Sequence, residues 1–427
     1  MRKINTEILN FDRMIPSLLL LTWAFFLASN DTRFILLAVW AFLIAASQMK
    51  ELFIMLSVLF IPVAMVRGQD QSSALPKLKF NGDFRLRFEN TTKQEPNSVN
   101  PDILESRFRE VVRFRAGLSS QINDKINFGV RVATGSPDDP NTADVTLGNF
   151  VDDLAISLDQ VYLEYYSNGL LVSGGKIKNP FMSTDLVWDG DVNPQGVSAS
   201  YSVPSQGNVA AKVIGLYSIV DEATIYPDSY MWGGQVQLAL TASPDLGITL
   251  AGGFYDYTIK NLSHADAGDT RSNYLTTVSN GGSVQSMYLS DFNLIDIIGM
   301  VDYRGFSEKY PLRVRANFVK NNGAEVDEDS GYMLDLFLGR ASVRNNLRFQ
   351  YGYAKLETDA VLAAFSNDNT TLASNYEQHT VSVDYVVLDN TTLNLTWYYF
   401  RRNKVDPALE LDNDFISRIR LNAVVGF

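Results

Sequence analysis

The chain has 427 residues, 46% of them apolar, a formal net charge of −12 and no cysteine. Without thiols there is no disulfide framework, thiolate nucleophile or cysteine-held zinc, and two histidines, His264 and His379, leave most hydrolase and metal-site templates unfilled. The acidic balance excludes the basic surface that a nucleic-acid partner would need.

A mean hydropathy near zero hides two unlike regions. As far as Val66 the chain is a string of apolar blocks, Ile15–Ala28, Phe34–Ala46 and Leu52–Val66. Each is shorter than the ~20 residues of a spanning helix. The third follows Met49-Lys50 and gives way to Val66-Arg67-Gly68 and the polar Gln69-Asp70-Gln71. That is the layout of a helical, cleaved secretory signal. The expected division is therefore an upstream extension over 1–48 that is an error of the reading frame, a signal peptide over 49–68, and a folded part over 69–427. A helical anchor ahead of the fold is the competing reading. Beyond residue 68 the balance is 30 basic to 44 acidic residues, a net −14.

From Leu78 the hydrophobic period is two, the period of a strand with one apolar face. Leu78, Phe80, Gly82, Phe84, Leu86 and Phe88 alternate with Lys79, Asn81, Asp83, Arg85, Arg87 and Glu89. Phe108, Val112, Phe114, Ala116, Leu118 and Ile122 alternate with Arg107, Arg109, Arg113, Arg115 and Gln121, and Ile126, Phe128, Val130 and Val132 with Lys125, Asn127 and Arg131. Comparable stretches fall near 158–167, 170–178, 197–203, 209–220, 230–242, 246–259, 289–303, 312–320, 331–340, 347–357, 378–388, 392–402 and 415–427. Together these make about 16 strands of the length a tilted membrane strand requires.

Short connections with turn chemistry, such as Asn123-Asp124-Lys125, Ser167-Asn168-Gly169 and Asp389-Asn390-Thr391, alternate with long ones near 90–105, 135–157, 179–196, 221–229, 260–288, 321–330, 358–377 and 403–414. Eight long loops and seven short turns are what a transmembrane antiparallel β-barrel needs when both of its ends lie on the periplasmic side. An even strand count suits closure, which leaves no edge to protect.

The apolar face of such a barrel meets lipid, so the polar partners face the lumen. This phase puts Lys79, Arg85, Arg87, Arg107, Arg109, Arg113, Arg115, Lys125, Arg131, Lys176, Lys178, Lys212, Arg313, Arg315, Arg348, Arg418 and Arg420 inside, with Asp83, Glu89, Glu164, Asp296, Asp302, Asp335 and Asp384. The expected lumen is basic, and the acidic surplus goes to solvated loops: Asp138, Asp139, Asp144, Asp152 and Asp153 in one, Glu325, Asp327, Glu328 and Asp329 in another. Of the arginines, Arg85, Arg87, Arg107, Arg109, Arg113 and Arg115 are close enough to form an anion-favouring track; wall-to-wall charge pairing is the structural alternative.

The loop 179–196 follows the fifth strand and holds Asp185, Trp188, Asp189 and Asp191. Folded inward, it would face the arginine track across a water-filled gap; folded outward, it would touch only solvent. Asp189-Gly-Asp191-Val-Asn193 begins like a calcium loop but lacks the glycine and glutamate that complete one, so no metal or other cofactor is expected. Trp188, Trp232 and Trp397 are candidates for interfacial girdles. The last strand is amphipathic and ends in Phe427, a candidate assembly signal for the barrel-insertion machinery.

Several segments resemble one family: Phe80–Asn90 (FNGDFRLRFEN), the arginine-rich second strand, Val132-Ala133-Thr134-Gly135, Leu158–Tyr166 (LDQVYLEYY), Gly174–Phe181 (GGKIKNPF) and Asp185–Gly196 (DLVWDGDVNPQG). These look like the putative porins of Gram-negative bacteria, over about Phe80–Tyr201, with a later echo in Tyr351–Asp368. The resemblance implies an outer-membrane location, passive transport and no catalytic residues. The expected function is diffusion of small hydrophilic solutes or ions through the arginine-lined lumen; an anion- or phosphate-selective porin and an adhesin-like barrel without a channel are the alternatives. Expected partners are outer-membrane lipid, the insertion machinery, small solutes or anions, and further copies of the chain.

Overall fold

The computed structural model describes residues 78–92, 106–139, 141–270, 272–280, 283–405 and 413–427. The upstream extension and the signal peptide lie outside these residues. Among the described residues nineteen strands follow in chain order: β1 Leu78–Thr91, β2 Arg107–Asn123, β3 Ile126–Thr134, β4 Val145–Thr146, β5 Ile156–Ser167, β6 Leu170–Lys176, β7 Gln195–Gln206, β8 Val209–Asp221, β9 Ser229–Ser243 and β10 Leu246–Thr258. Then come β11 Leu275–Asn280, β12 Ser283–Tyr288, β13 Phe292–Tyr303, β14 Leu312–Asn321, β15 Ser330–Gly339, β16 Leu347–Leu356, β17 Tyr376–Leu388, β18 Thr391–Arg402 and β19 Ile416–Gly426.

Sixteen of these pair antiparallel, each with its neighbours, and the ring closes where β1 meets β19. The strand β4 pairs with Val111 and Val112 of β2 above the end of β3, and β11 and β12 form a hairpin of their own within a long connection. Those two insertions sit in stretches that period-two reading leaves as loops. Among the described residues no helix is long and apolar enough to cross a membrane.

Local chemistry sets the hairpins. At the β5–β6 turn Asn168 (φ 49°) and Gly169 (φ 83°) both adopt the left-handed region, as the tight turn that matches strand twist requires. The seam depends on a second glycine. Gly82 exchanges backbone hydrogen bonds of 2.9 and 3.0 Å with Phe427. A Cβ at Gly82 would stand 2.3 Å from the Arg115 carbonyl and 2.5 Å from the Phe427 ring. Phe427 stacks on Phe80 at 5.6 Å and on Phe114 at 6.3 Å, so the last residue closes the seam on the apolar outer face.

Outward positions carry the exposed apolar side chains, among them Phe80, Phe84, Phe88, Trp232, Leu334, Leu395, Trp397 and Leu421. The inner face is polar along β1 and β2 but apolar at the long-loop end of β8–β18. There Ile214, Leu216, Met231, Tyr255, Tyr257, Phe292, Leu294, Val319, Leu356, Tyr376 and Phe400 point into one buried cluster. The cluster exists because two long loops, 177–194 and 357–375, fold into the bore and cover it.

Candidate functional site

The lumen beside β1, β2, β5 and β19 carries the arginines. Register places Asp83 opposite Arg115, Arg85 opposite Arg113, and Glu89 between Arg109 on β2 and Arg420 on β19. Like charges directly opposite repel, and carboxylates separate them. Asp83 takes Arg113 and Arg115, each at 2.8 Å. Glu89 takes Arg109 at 2.7 Å, Arg420 at 2.6 Å and Arg418 at 3.6 Å. Asp144 pairs with Arg85 and, at 2.5 Å, with Arg87; Asp159 pairs with Arg131.

Asp144 corrects its expected place in a solvated exterior loop. The strand β4 docks on β2, which carries the preceding Asp144 into the lumen. Burial opposes its ionisation, but the Arg87 and Arg85 guanidiniums hold its carboxyl below the usual range. Eight guanidiniums on this wall (Arg85, Arg87, Arg109, Arg113, Arg115, Arg131, Arg418 and Arg420) share five carboxylates: Asp83, Glu89, Asp144, Asp159 and Asp191. The remaining arginines lie elsewhere. Arg107 is exposed at the long-loop end of β2, while Arg313, Arg315 and Arg348 pair with Asp302, Asp335 and Asp384 at 2.6, 2.6 and 2.8 Å.

Loop 177–194 spans the bore and is fastened on both sides. On the arginine side Asp191 lies 2.8 Å from Arg115 and 4.0 Å from Arg113. Asn193 donates to Asp159 at 2.7 Å and accepts from Gln160 at 2.7 Å. On the other side the Met182 backbone exchanges two 2.8 Å hydrogen bonds with Gln235 of β9, and Thr184 bonds Asn317 of β14. Two expectations change here. Asp191 meets the arginines in direct contact, not across a gap, because the loop crosses close to the wall. Trp188 is no girdle residue: it is 2% exposed inside the barrel, whereas Trp232 and Trp397 do face outward.

The second inward loop, 357–375, has no counterpart in the sequence-based site. Its Phe365 ring stacks on Trp188 at 5.4 Å, and its carbonyl accepts from the Asp189 N–H at 2.7 Å. Asn369 ties this loop to everything around it. It donates to Asp185 at 3.0 Å and its Oδ1 accepts from Arg420 at 3.0 Å; its carbonyl accepts from Arg418 at 3.0 Å. Between the loops Asp185, Asp189 and Asp368 come together. Burial first, then Asp368 and Asp185, push the Asp189 carboxyl well above its ordinary value. Asp189 Oδ1 accepts from the Asp191 N–H at 2.8 Å, a local turn, and among the described residues no group of His, Asp and Glu is set to hold a metal. One sequence signal for the second loop exists: β13 and the chain around Asp359–Phe365 are apolar where alternation would demand polar residues. His264, which shows no partner by sequence, lies 2.7 Å from Asp221.

A closed barrel of sixteen strands, with a lumen crossed by a loop from the third long connection, is the build of a diffusion channel. Residues 81–263 match the model of the family described as Putative porin. No curated protein matches the sequence. Among solved structures, Pseudomonas putida OprB at high pH superposes with a TM-score of 0.54 at 13% identity, covering 82% of this chain and 94% of that one. Salmonella typhi OmpF in complex with daunomycin gives 0.48 at 12% identity, covering 82% and 98%. A Vibrio cholerae OmpT lacking its loop L8 gives 0.48 at 10% identity, covering 83% and 100%. The OprB likeness concerns the fold. With the family-model match over residues 81–263, it supports an outer-membrane porin in general terms.

Proposed function

We propose that the porin passes small hydrophilic solutes by passive diffusion along its arginine wall, with a preference for anions. The observation that carries this reading is the fastening of loop 177–194 to Arg113 and Arg115 through Asp191. The two inward loops and the apolar cluster fill the bore on the β8–β16 side, which leaves the wall where guanidiniums outnumber carboxylates as the expected path. Basic rings of this kind favour anions. The expected test is conductance in planar bilayers with reversal potentials under a salt gradient. The wild type should conduct and prefer chloride, and replacing Arg107, Arg109, Arg113 and Arg115 with Gln should move the reversal potential toward cations. A barrel that never conducts is an adhesin-like one, and unchanged selectivity in the variant makes the arginines structural. Phe427 then serves as the docking residue for the insertion machinery, and export proceeds by cleavage near Gly68–Gln69. Mass spectrometry of the membrane-extracted protein should find a first residue within a few positions of Gln69; a species that keeps Ile15–Val66 refutes the signal peptide.

A further inference from the structure

We propose that the cavity between loop 177–194 and the segment 259–269 binds a neutral, single-ring aromatic alcohol or phenol beside the permeation path. The void is about 170 Å³. Its walls are largely apolar, built from Trp188, Met231, Ile259, Leu362 and Phe365. An apolar cavity of ~150 Å³ is enough to admit benzene, so this one takes a ring with a small substituent. The parallel pair of Trp188 and Phe365, 5° apart in plane, forms part of that wall, and flat aromatic faces favour a further ring.

The polar groups narrow the class. The Trp188 indole N–H is buried and has no acceptor among the described residues. A buried donor without a partner is costly, and a ligand oxygen relieves it. Formal charges around the cavity are engaged within the protein: Lys176 Nζ donates to the Asn193 carbonyl at 3.3 Å, Asp221 holds His264 at 2.7 Å, and Asp269 Oδ2 accepts from the Asp266 N–H at 3.1 Å. A charged ligand would have to displace one of these contacts, whereas a neutral one would not. The polar lining side chains Asn193, Ser218, Ser229 and Asn261 already hold hydrogen bonds within the protein, so the several hydroxyls of a sugar would find few partners. The His264 side chain is 66% exposed, so its contact with Asp221 lies at the solvent edge and ties the 259–269 segment to β8 over the cavity.

This site rests on the porin reading only for its position beside a path; its binding is measured independently. The probes are 4-fluorophenol and fluorobenzene, followed by fluorine NMR with the protein in detergent micelles, alongside conductance in potassium chloride. The wild type should bind 4-fluorophenol saturably. Ala364→Phe, which projects a ring from the cavity wall, should abolish that binding while conductance and the heat-shifted gel mobility of a folded barrel persist. Trp188→Phe keeps a stacked ring but loses the donor, so it should weaken 4-fluorophenol about fivefold and leave fluorobenzene unchanged. Equal signals from wild type and Ala364→Phe mean partition into the micelle and overturn the site. Equal losses for both probes in Trp188→Phe overturn the oxygen contact and with it the ligand class. A protein that binds but does not conduct refutes the porin reading alone; one that conducts without saturable binding refutes the site alone.

Discussion

Replacing Asp191 with Asn tests how the loop and the arginine wall set selectivity. The Asp191 carboxylate is 18% exposed and bridges Arg115 at 2.8 Å and Arg113 at 4.0 Å. Its neutralisation leaves Asp83 to serve both guanidiniums and adds one net positive charge to the lumen. The amide has the same shape, and Asn193 and Thr184 keep the loop fastened, so the change is mainly electrostatic. A unit charge acts on an ion about 7 Å away in water with ~0.6 kcal/mol, close to the thermal energy. Screening over ~10 Å at 0.1 M salt halves that, while ~30 Å at 0.01 M leaves most of it. Anion entry rises as cation entry falls, so the anion-to-cation permeability ratio should increase about threefold at 0.1 M and about fivefold at 0.01 M. Reversal potentials in planar bilayers under a potassium chloride gradient read this directly. An unchanged potential at the lower salt, or a shift toward cations, would refute a permeation path along this wall.

Arg introduced at Phe84, Phe114 or Val130 should cost roughly 2–4 kcal/mol at mid-bilayer depth and reduce the folded, heat-shifted band, whereas Arg at Asn81, Gln121 or Asn127 should be tolerated. Similar behaviour of the two sets would reverse the inside–outside assignment. Gly82→Val should impair closure, since its Cβ would meet the Arg115 carbonyl and the Phe427 ring. Trimming that ring with Phe427→Ala should not rescue it, because the carbonyl clash at 2.3 Å remains; full rescue would place the whole conflict in the ring. For Asp189 the folded-state value is raised by burial, Asp368 and Asp185. A raised carboxyl favours the folded loop below its ordinary range, and that support is lost as pH climbs through the folded value. Current fluctuations should therefore grow from mildly acid to alkaline solution and flatten in Asp189→Asn; a variant with the same pH response would clear Asp189 of the role.

What the sequence determined by itself is the wall. Lipid and water demand opposite polarity at successive positions, so Phe84 and Phe88 against Arg85 and Arg87 reveal the strand and its phase without any distant contact. Asn168-Gly169 likewise declares its hairpin, because only residues tolerant of positive φ fit there. The inner filling was decided only in three dimensions. Phe292, Leu294 and Ile298 point inward while Ile295 and Ile297 point to lipid, so β13 is apolar on both faces and period two fades wherever a loop covers the inner one. Asp144 and Arg85, or Asn369 and Arg420, meet from distant parts of the chain. Their partnership depends on where β4 and loop 357–375 dock, and local periodicity contains no term for that. The same physics explains why the guanidiniums and strand carboxylates such as Asp83 and Glu89 were legible as lumen residues while Asp144 and Asp191 were not: strand position is a local property, and the place of a loop carboxylate is set by the fold around it.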